Sequence, residues 1–273
     1  MAGVGLIGRW LRGLRQRRED AAVQRRAIPD DLWKRTLVRY PFLQRRDDAG
    51  ATELRRLTSL FLDRKEFNAV GGLRLSNAMV VAISAQAVLP VLRLGLHRYD
   101  SFVGIVVHAD QVRAPREVTD EAGIVHRYEE VLAGEAVQGG PVMLSWRDVR
   151  AAGRQDSGAY NVVIHEFAHV LDLALGEAGG QPQLPANLPA AEWQAVMASS
   201  YADFCRRVDG GGEATAVDAY GAESPAEFFA VASEAFFVTP AAMKNEHPAM
   251  YGMLVRCYQQ DPLAEQAAPR RRA

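Results

Sequence analysis

Cysteine occurs only twice in this 273-residue chain, as Cys205 and Cys257. Neither falls in a metal or redox spacing, so a disulfide scaffold and a cysteine-held metal are both excluded. With no export signal, the two thiols are expected to stay reduced in the cytoplasm. No apolar run approaches the roughly eighteen residues that a bilayer-spanning helix needs. An excess of one charge is also missing. Lys and Arg number 32 against 33 Asp and Glu, a formal net charge of −1, which argues against a dedicated nucleic-acid binder. There is no internal repeat. Histidine is scarce, six in all.

The even balance hides one asymmetry. Residues 1–26 carry seven arginines against Glu19 and Asp20, an excess of +5. Leu6, Ile7, Trp10, Leu11 and Leu14 recur there at helical spacing. The expectation is a basic, partly disordered arm over residues 1–27, with an interfacial membrane helix as the alternative. The apolar stretch is too short, and too interrupted by arginine, for a secretory signal. Residues 263–273 read as a solvated tail ending in Arg270, Arg271 and Arg272.

Against that scarcity of histidine, residues 165–169 read His-Glu-Phe-Ala-His. Chance would produce this pattern in about one chain in a hundred of this composition. Four residues apart on a helix, His165 and His169 project from one face and can grip one metal ion. Glu166 is placed to reach a water rather than the metal, as the general base of a metallopeptidase. The surroundings, Val162 to Leu175, leave almost no polar face, so the helix should be buried. Polar groups on a buried helix need partners, and a metal ion answers all three.

A catalytic zinc site wants three protein ligands and an open position. The extended pattern with a third histidine on the same segment is excluded, because Asp172 and Leu175 stand where it needs glycine and histidine. The third ligand must come from elsewhere. In Ser-Pro-Ala-Glu-Phe-Phe-Ala-Val-Ala-Ser-Glu (224–234), Ser224 suits an N-cap and Pro225 the first helical position. Glu227 and Glu234 lie two turns apart on one side. Glu227 is either a metal ligand or a first-turn acid serving the helix dipole, worth under about 1 kcal/mol. Asp172 shares the face of the two histidines; it could fix an imidazole tautomer or form a cap or salt bridge.

The rest reads as helix-rich. Helices are expected over Asp30–Tyr40, Thr52–Lys65 and Ser76–Leu92, and strands over Phe102–His108, Val125–Val131 and Val142–Trp146. Val142–Trp146 is either an edge strand able to pair with a peptide or a plain core strand. His97, His108, His126 and His247 read as surface or packing residues. The fold class is α+β, with a small sheet preceding the helix of the two histidines.

The stretches 161–172 and 220–234 together resemble the Mlc titration factor A family of bacterial zinc peptidases. Ile83–Ala87, Gly140–Trp146 and Tyr258–Pro262 support the likeness, which spans residues 28–262. The family is itself similar to the catalytic domain of lethal-factor-type toxins, which implies a zincin-like fold. The resemblance implies one zinc ion per chain held by His165, His169 and Glu227, with Glu166 as general base. It also implies that Tyr220, seven residues before Glu227, stabilises the transition state; without it, Tyr220 reads as a surface aromatic. The toxins carry a further glutamate where Val231 stands here, so its supporting role would fall to Glu234 or Asp172. Two functions follow as expectations. One is a cytoplasmic, aminopeptidase-like peptidase acting on peptide or protein substrates. The other is a regulatory protein that sequesters a transcriptional repressor of sugar uptake, the role for which family members are known.

Overall fold

The computed structural model describes residues 3–119, 125–152, 158–176, 178–211 and 215–267. It opens with helices α1 (Gly3–Arg25), α2 (Asp30–Arg39) and α3 (Asp48–Arg64). Strand β1 (Glu66–Ala69), helix α4 (Asn77–Ala87) and strand β2 (Gly104–His108) follow. A hairpin of β3 (Val112–Thr119) and β4 (Val125–Leu132) runs on into β5 (Gly134–Ala136), then β6 (Val142–Ser145) and the short α5 (Trp146–Ala151). The remainder is helical: α6 (Val162–Asp172), α7 (Ala190–Asp209), α8 (Pro225–Val238), α9 (Pro240–Glu246), α10 (Pro248–Tyr258) and α11 (Pro262–Ala267). This is an α+β architecture with a small mixed sheet ahead of the histidine helix.

The sheet runs β1-β2-β6-β5, parallel except for β5, which is antiparallel to β6. Ile105, Val107, Val142 and Leu144, which share one face of the sheet, are buried, while Val106 and Met143 on the other face are half-buried. Of the two readings of Val142–Trp146, the core strand is the observed one. Residues 142–145 lie between β2 and β5, and Trp146 opens α5. The edge nearest the histidine helix is β5, too short and too rich in small residues to stand out as a strand.

Helix α4 stops at Ala87, short of the expected Leu92. Pro90 disfavours helical geometry at Leu89, and the chain turns to Gly95, whose φ of 89° suits glycine. The N-terminal arm carries helix α1. Residues 3–25 are helical, and from residue 13 onward α1 belongs to the fold. Ala22 is buried, Arg25 grips Asp63 at 3.0 and 3.2 Å, and Glu19 pairs with Arg56 and Arg64 of α3 at 3.1 and 3.3 Å. The side chains of Leu6, Ile7, Trp10 and Leu11 lie outside the description. The tail likewise begins as helix α11, where Glu265 lies 3.6 Å from buried Arg46 and 3.7 Å from Arg93; the Arg270–Arg272 stretch lies outside the described residues. No helix among the described residues is long and apolar enough to cross a membrane.

The core sits under α6. Phe167 is fully buried, with ring centroids 5.0 Å from Tyr99, 5.7 Å from Phe61 and 5.9 Å from Phe102. This cluster fixes the rotation of α6 and hence the direction of its histidines. Phe167→Ala should cost about 3–5 kcal/mol, read from the denaturant midpoint of the purified chain.

Candidate metal centre

Helix α6 starts where it does because Asn161 caps it: its Oδ1 accepts the Ile164 N–H at 3.0 Å. Val162, Val163, Ile164, Phe167, Ala168, Val170 and Leu171 are buried around it, leaving His165 and His169 on the side that meets α8. Helix α8 is capped by Ser224, whose Oγ accepts the Glu227 N–H at 3.1 Å, with Pro225 in the first turn. That places Glu227 against the two imidazoles.

Three donors converge. Nε2 of His165 lies 3.2 Å from Nε2 of His169. The Glu227 carboxylate reaches the first at 3.1 Å through Oε2 and the second at 3.4 Å through Oε1. A tetrahedral ion with bonds of roughly 2.0–2.1 Å would need ligand atoms about 3.3 Å apart, and the nitrogen–nitrogen separation and the two nitrogen–oxygen approaches, made through different oxygens of Glu227, are close to that spacing. Oε2 of Glu227 is buried yet receives no well-directed hydrogen bond, as suits an atom whose partner is a cation. Two imidazoles and a carboxylate fit zinc. Among the described residues, His165, His169 and Glu227 are the one cluster of three such side chains spaced to hold a metal.

The charges around them are strongly coupled. Burial would raise the Glu227 carboxyl, but the two imidazoles beside it hold it down at about 2. His165 is pushed the other way: burial disfavours its charge, yet Glu227 and Glu234 raise it well above the ordinary histidine value. Glu166 is raised to about 7, chiefly by burial. Its neighbouring histidines pull it down, while Glu227 and Glu234 push it up.

Glu234 holds the outer nitrogen of His165, its Oε1 lying 2.8 Å from Nδ1. Its other oxygen accepts the Asn161 N–H. This tautomer leaves Nε2 facing Glu227 and a prospective ion. Asp172 is placed differently from an imidazole-holding group, since its Oδ2 accepts the Gly180 N–H at 2.7 Å and so ties α6 to the following loop.

Tyr220 sits on a short turn, Ala219–Ala222, with its ring centroid 6.2 Å from that of His165. The turn lies close on α8 because residue 221 is glycine; a Cβ there would come 2.6 Å from Cγ2 of Val231. Where the toxin pattern has glutamate, this chain packs a valine beneath the tyrosine turn. A cleft of about 380 Å³ opens beside the histidines, lined by Leu132, Gly134, Tyr160, Glu166, Tyr220 and Glu223 among others. Of the remaining histidines, His97 is exposed on a short turn and His247 packs against Phe204, with ring centroids 6.0 Å apart. His108 is half-buried on β2, and the His126 side chain lies outside the description.

Three contributors were not singled out from the sequence. Asn161 carries a recoverable signal, an N-cap residue type directly before an apolar helical run. Gln86, whose Oε1 accepts from Asn161 Nδ2 at 2.9 Å, and Gly134 carry none.

Two predictions follow from the coupling. Glu234→Gln should weaken zinc binding about 10- to 100-fold, read by competition with a chromophoric chelator. The raised His165 should also make proton and zinc compete. In the metal-free chain its charge contributes stability that is complete below about pH 6.5 and lost as pH rises through its higher folded value. Zinc must displace that proton, so the zinc-induced rise in Tm should be larger at about pH 8 than at about pH 6.

The family model for glucose-regulated metallo-peptidases, M90, matches residues 14–259. A Mlc titration factor A from Klebsiella pneumoniae (strain 342) is 36% identical over 217 residues, covering 78% of this chain and 81% of that protein. The protein of the same name from Edwardsiella ictaluri is 38% identical over 218 residues, 78% of this chain and 83% of its own. That from Serratia proteamaculans is 35% identical over 234 residues, 85% and 88% respectively. With the match extending from α1 to α10 and taking in both helices of the metal centre, the chain belongs to the M90 metallo-peptidase family, alongside the Mlc titration factor A proteins.

Proposed function

We propose that this chain is a zinc-dependent peptidase holding one ion through His165, His169 and Glu227. The observation that carries the reading is the convergence of two imidazole nitrogens, 3.2 Å apart, on the Glu227 carboxylate, whose oxygens approach them at 3.1 and 3.4 Å, with Glu166 buried beside them. A zinc ion held there would supply Lewis acidity and lower the pKa of the attacking water. Glu166, buried beside the two histidines, is poised to take a proton from the attacking water and return it to the leaving amine. Tyr220 is exposed to the cleft, where its hydroxyl can donate to the developing oxyanion. Glu234 keeps His165 in the tautomer that binds metal.

The substrate is an extended peptide chain that adds a strand to β5. The Ala133 carbonyl accepts the Ser145 N–H at 2.7 Å. Along an antiparallel strand, successive residues alternate in direction, so the N–H and C=O of Gly134 face outwards, towards the cleft. Asp218 and Glu223 line the same cleft, and their charge suits a free α-ammonium group, in keeping with aminopeptidase-like action. Cys205 and Cys257 are free, which is in keeping with a reducing cytoplasm.

A second reading is favoured by the relatives, which are named for titrating Mlc. On it, the chain binds a transcriptional repressor, with or without hydrolysis. Glu166→Gln separates the two. Peptide hydrolysis should fall by orders of magnitude while zinc content stays at the wild-type level, and binding of a repressor should be untouched. Glu227→Ala should instead lose zinc itself, measured by elemental analysis.

A further inference from the structure

Gly134 opens strand β5 at the point where the strand passes Glu166. A Cβ added there would lie 2.5 Å from Oε1 of Glu166, 2.6 Å from Cγ and 2.7 Å from Cδ. Non-bonded carbon atoms rest roughly 3.5–4.0 Å apart. The overlap takes in the whole outer half of the Glu166 side chain, so turning one carboxylate oxygen aside would not relieve it. Glu166 is 5% exposed and its open side is the cleft, so relief would come by swinging the carboxylate out of its place beside the histidines. The backbone of Gly134 is not in the left-handed region that favours glycine. Glycine is otherwise a poor choice inside a strand. Its requirement here comes from space alone.

We propose that Gly134 is a positioning residue for Glu166: bare edge-strand backbone forms the wall against which the carboxylate rests, so that base and docked peptide share one layer. The proposal builds on the peptidase reading above. A side chain on residue 134 would drive Glu166 away from the water it activates, although residue 134 would touch neither metal nor scissile bond. The outward N–H and C=O of the same residue stay available to the substrate, so the change should act on kcat more than on KM.

The test is a double-mutant cycle on the full-length, zinc-loaded chain. Gly134→Ala should lower Tm in the wild-type background and cause no loss in Glu166→Ala, where the space has been vacated. An equal loss in both backgrounds would overturn the proposal. This arm needs no activity, so it decides even if the wild type hydrolyses no peptide, a result that would count only against the peptidase reading. If Gly134→Ala alone does not fold, a folded Gly134→Ala/Glu166→Ala chain supports the proposal, and a double variant that also fails to fold overturns it. In the active enzyme, Gly134→Ala should lower kcat by about 100-fold with KM and zinc content unchanged. A rise in KM with kcat retained would refute it.

Discussion

Both oxygens of Glu234 are tied to α6, one to Nδ1 of His165 and the other to the N–H of Asn161. Asn161 is the cap of that helix, and its amide reaches on to Gln86 of α4. A single carboxylate therefore fixes where α6 begins, which tautomer His165 adopts and how α8 lies against both. It is 4% exposed. Burying an ionised group so deeply is costly unless each lone pair is answered, and here the neighbouring backbone and imidazole answer it. The apolar faces of α6 and α8 supply most of the packing energy, but they would tolerate sliding. The buried carboxylate does not.

The electrostatics of the centre follow from the same crowding. Three glutamates and two histidines share a small volume of low dielectric. Glu227, between two imidazoles, stays ionised down to about pH 2, whereas Glu166 is raised to about 7. Two carboxyl groups of the same type are thus driven apart by position alone, one towards a permanent charge and one towards a proton that can be exchanged near neutrality. A divalent cation in the triangle would relieve the mutual repulsion of the three acids.

How much of this was legible beforehand depended on sequence distance. The two histidines announce themselves because helical periodicity makes a four-residue spacing a spatial fact, and scarce histidine makes it improbable by chance. Glu227 was legible as a candidate from the Ser-Pro cap that starts its helix. The partner of Glu234 was not, since His165 lies 69 residues away and no local rule links them. Asp172 shows the limit of face arguments: it shares the histidines' side of the helix, yet the nearer backbone N–H of Gly180 engages it. Strand β5 escaped notice because three residues, two of them small, carry no periodicity, and the close approach at Gly134 leaves no trace that distinguishes it from a loop glycine. Pro90, by contrast, was a visible stop signal within an apolar run that otherwise read as one long helix.

The order of elements along the chain has a consequence for synthesis. His165 and His169 leave the ribosome together, but Glu227 and Glu234 follow only after the whole of α7 and its flanking loops. A nascent chain that has exposed α6 alone carries the motif without its third donor, without the carboxylate that orients His165, and without the tyrosine turn. Such a fragment would bind metal weakly and would have no assembled cleft. Because these pieces are encoded after α6 and α7, a chain truncated ahead of α8 cannot bring the three donors together.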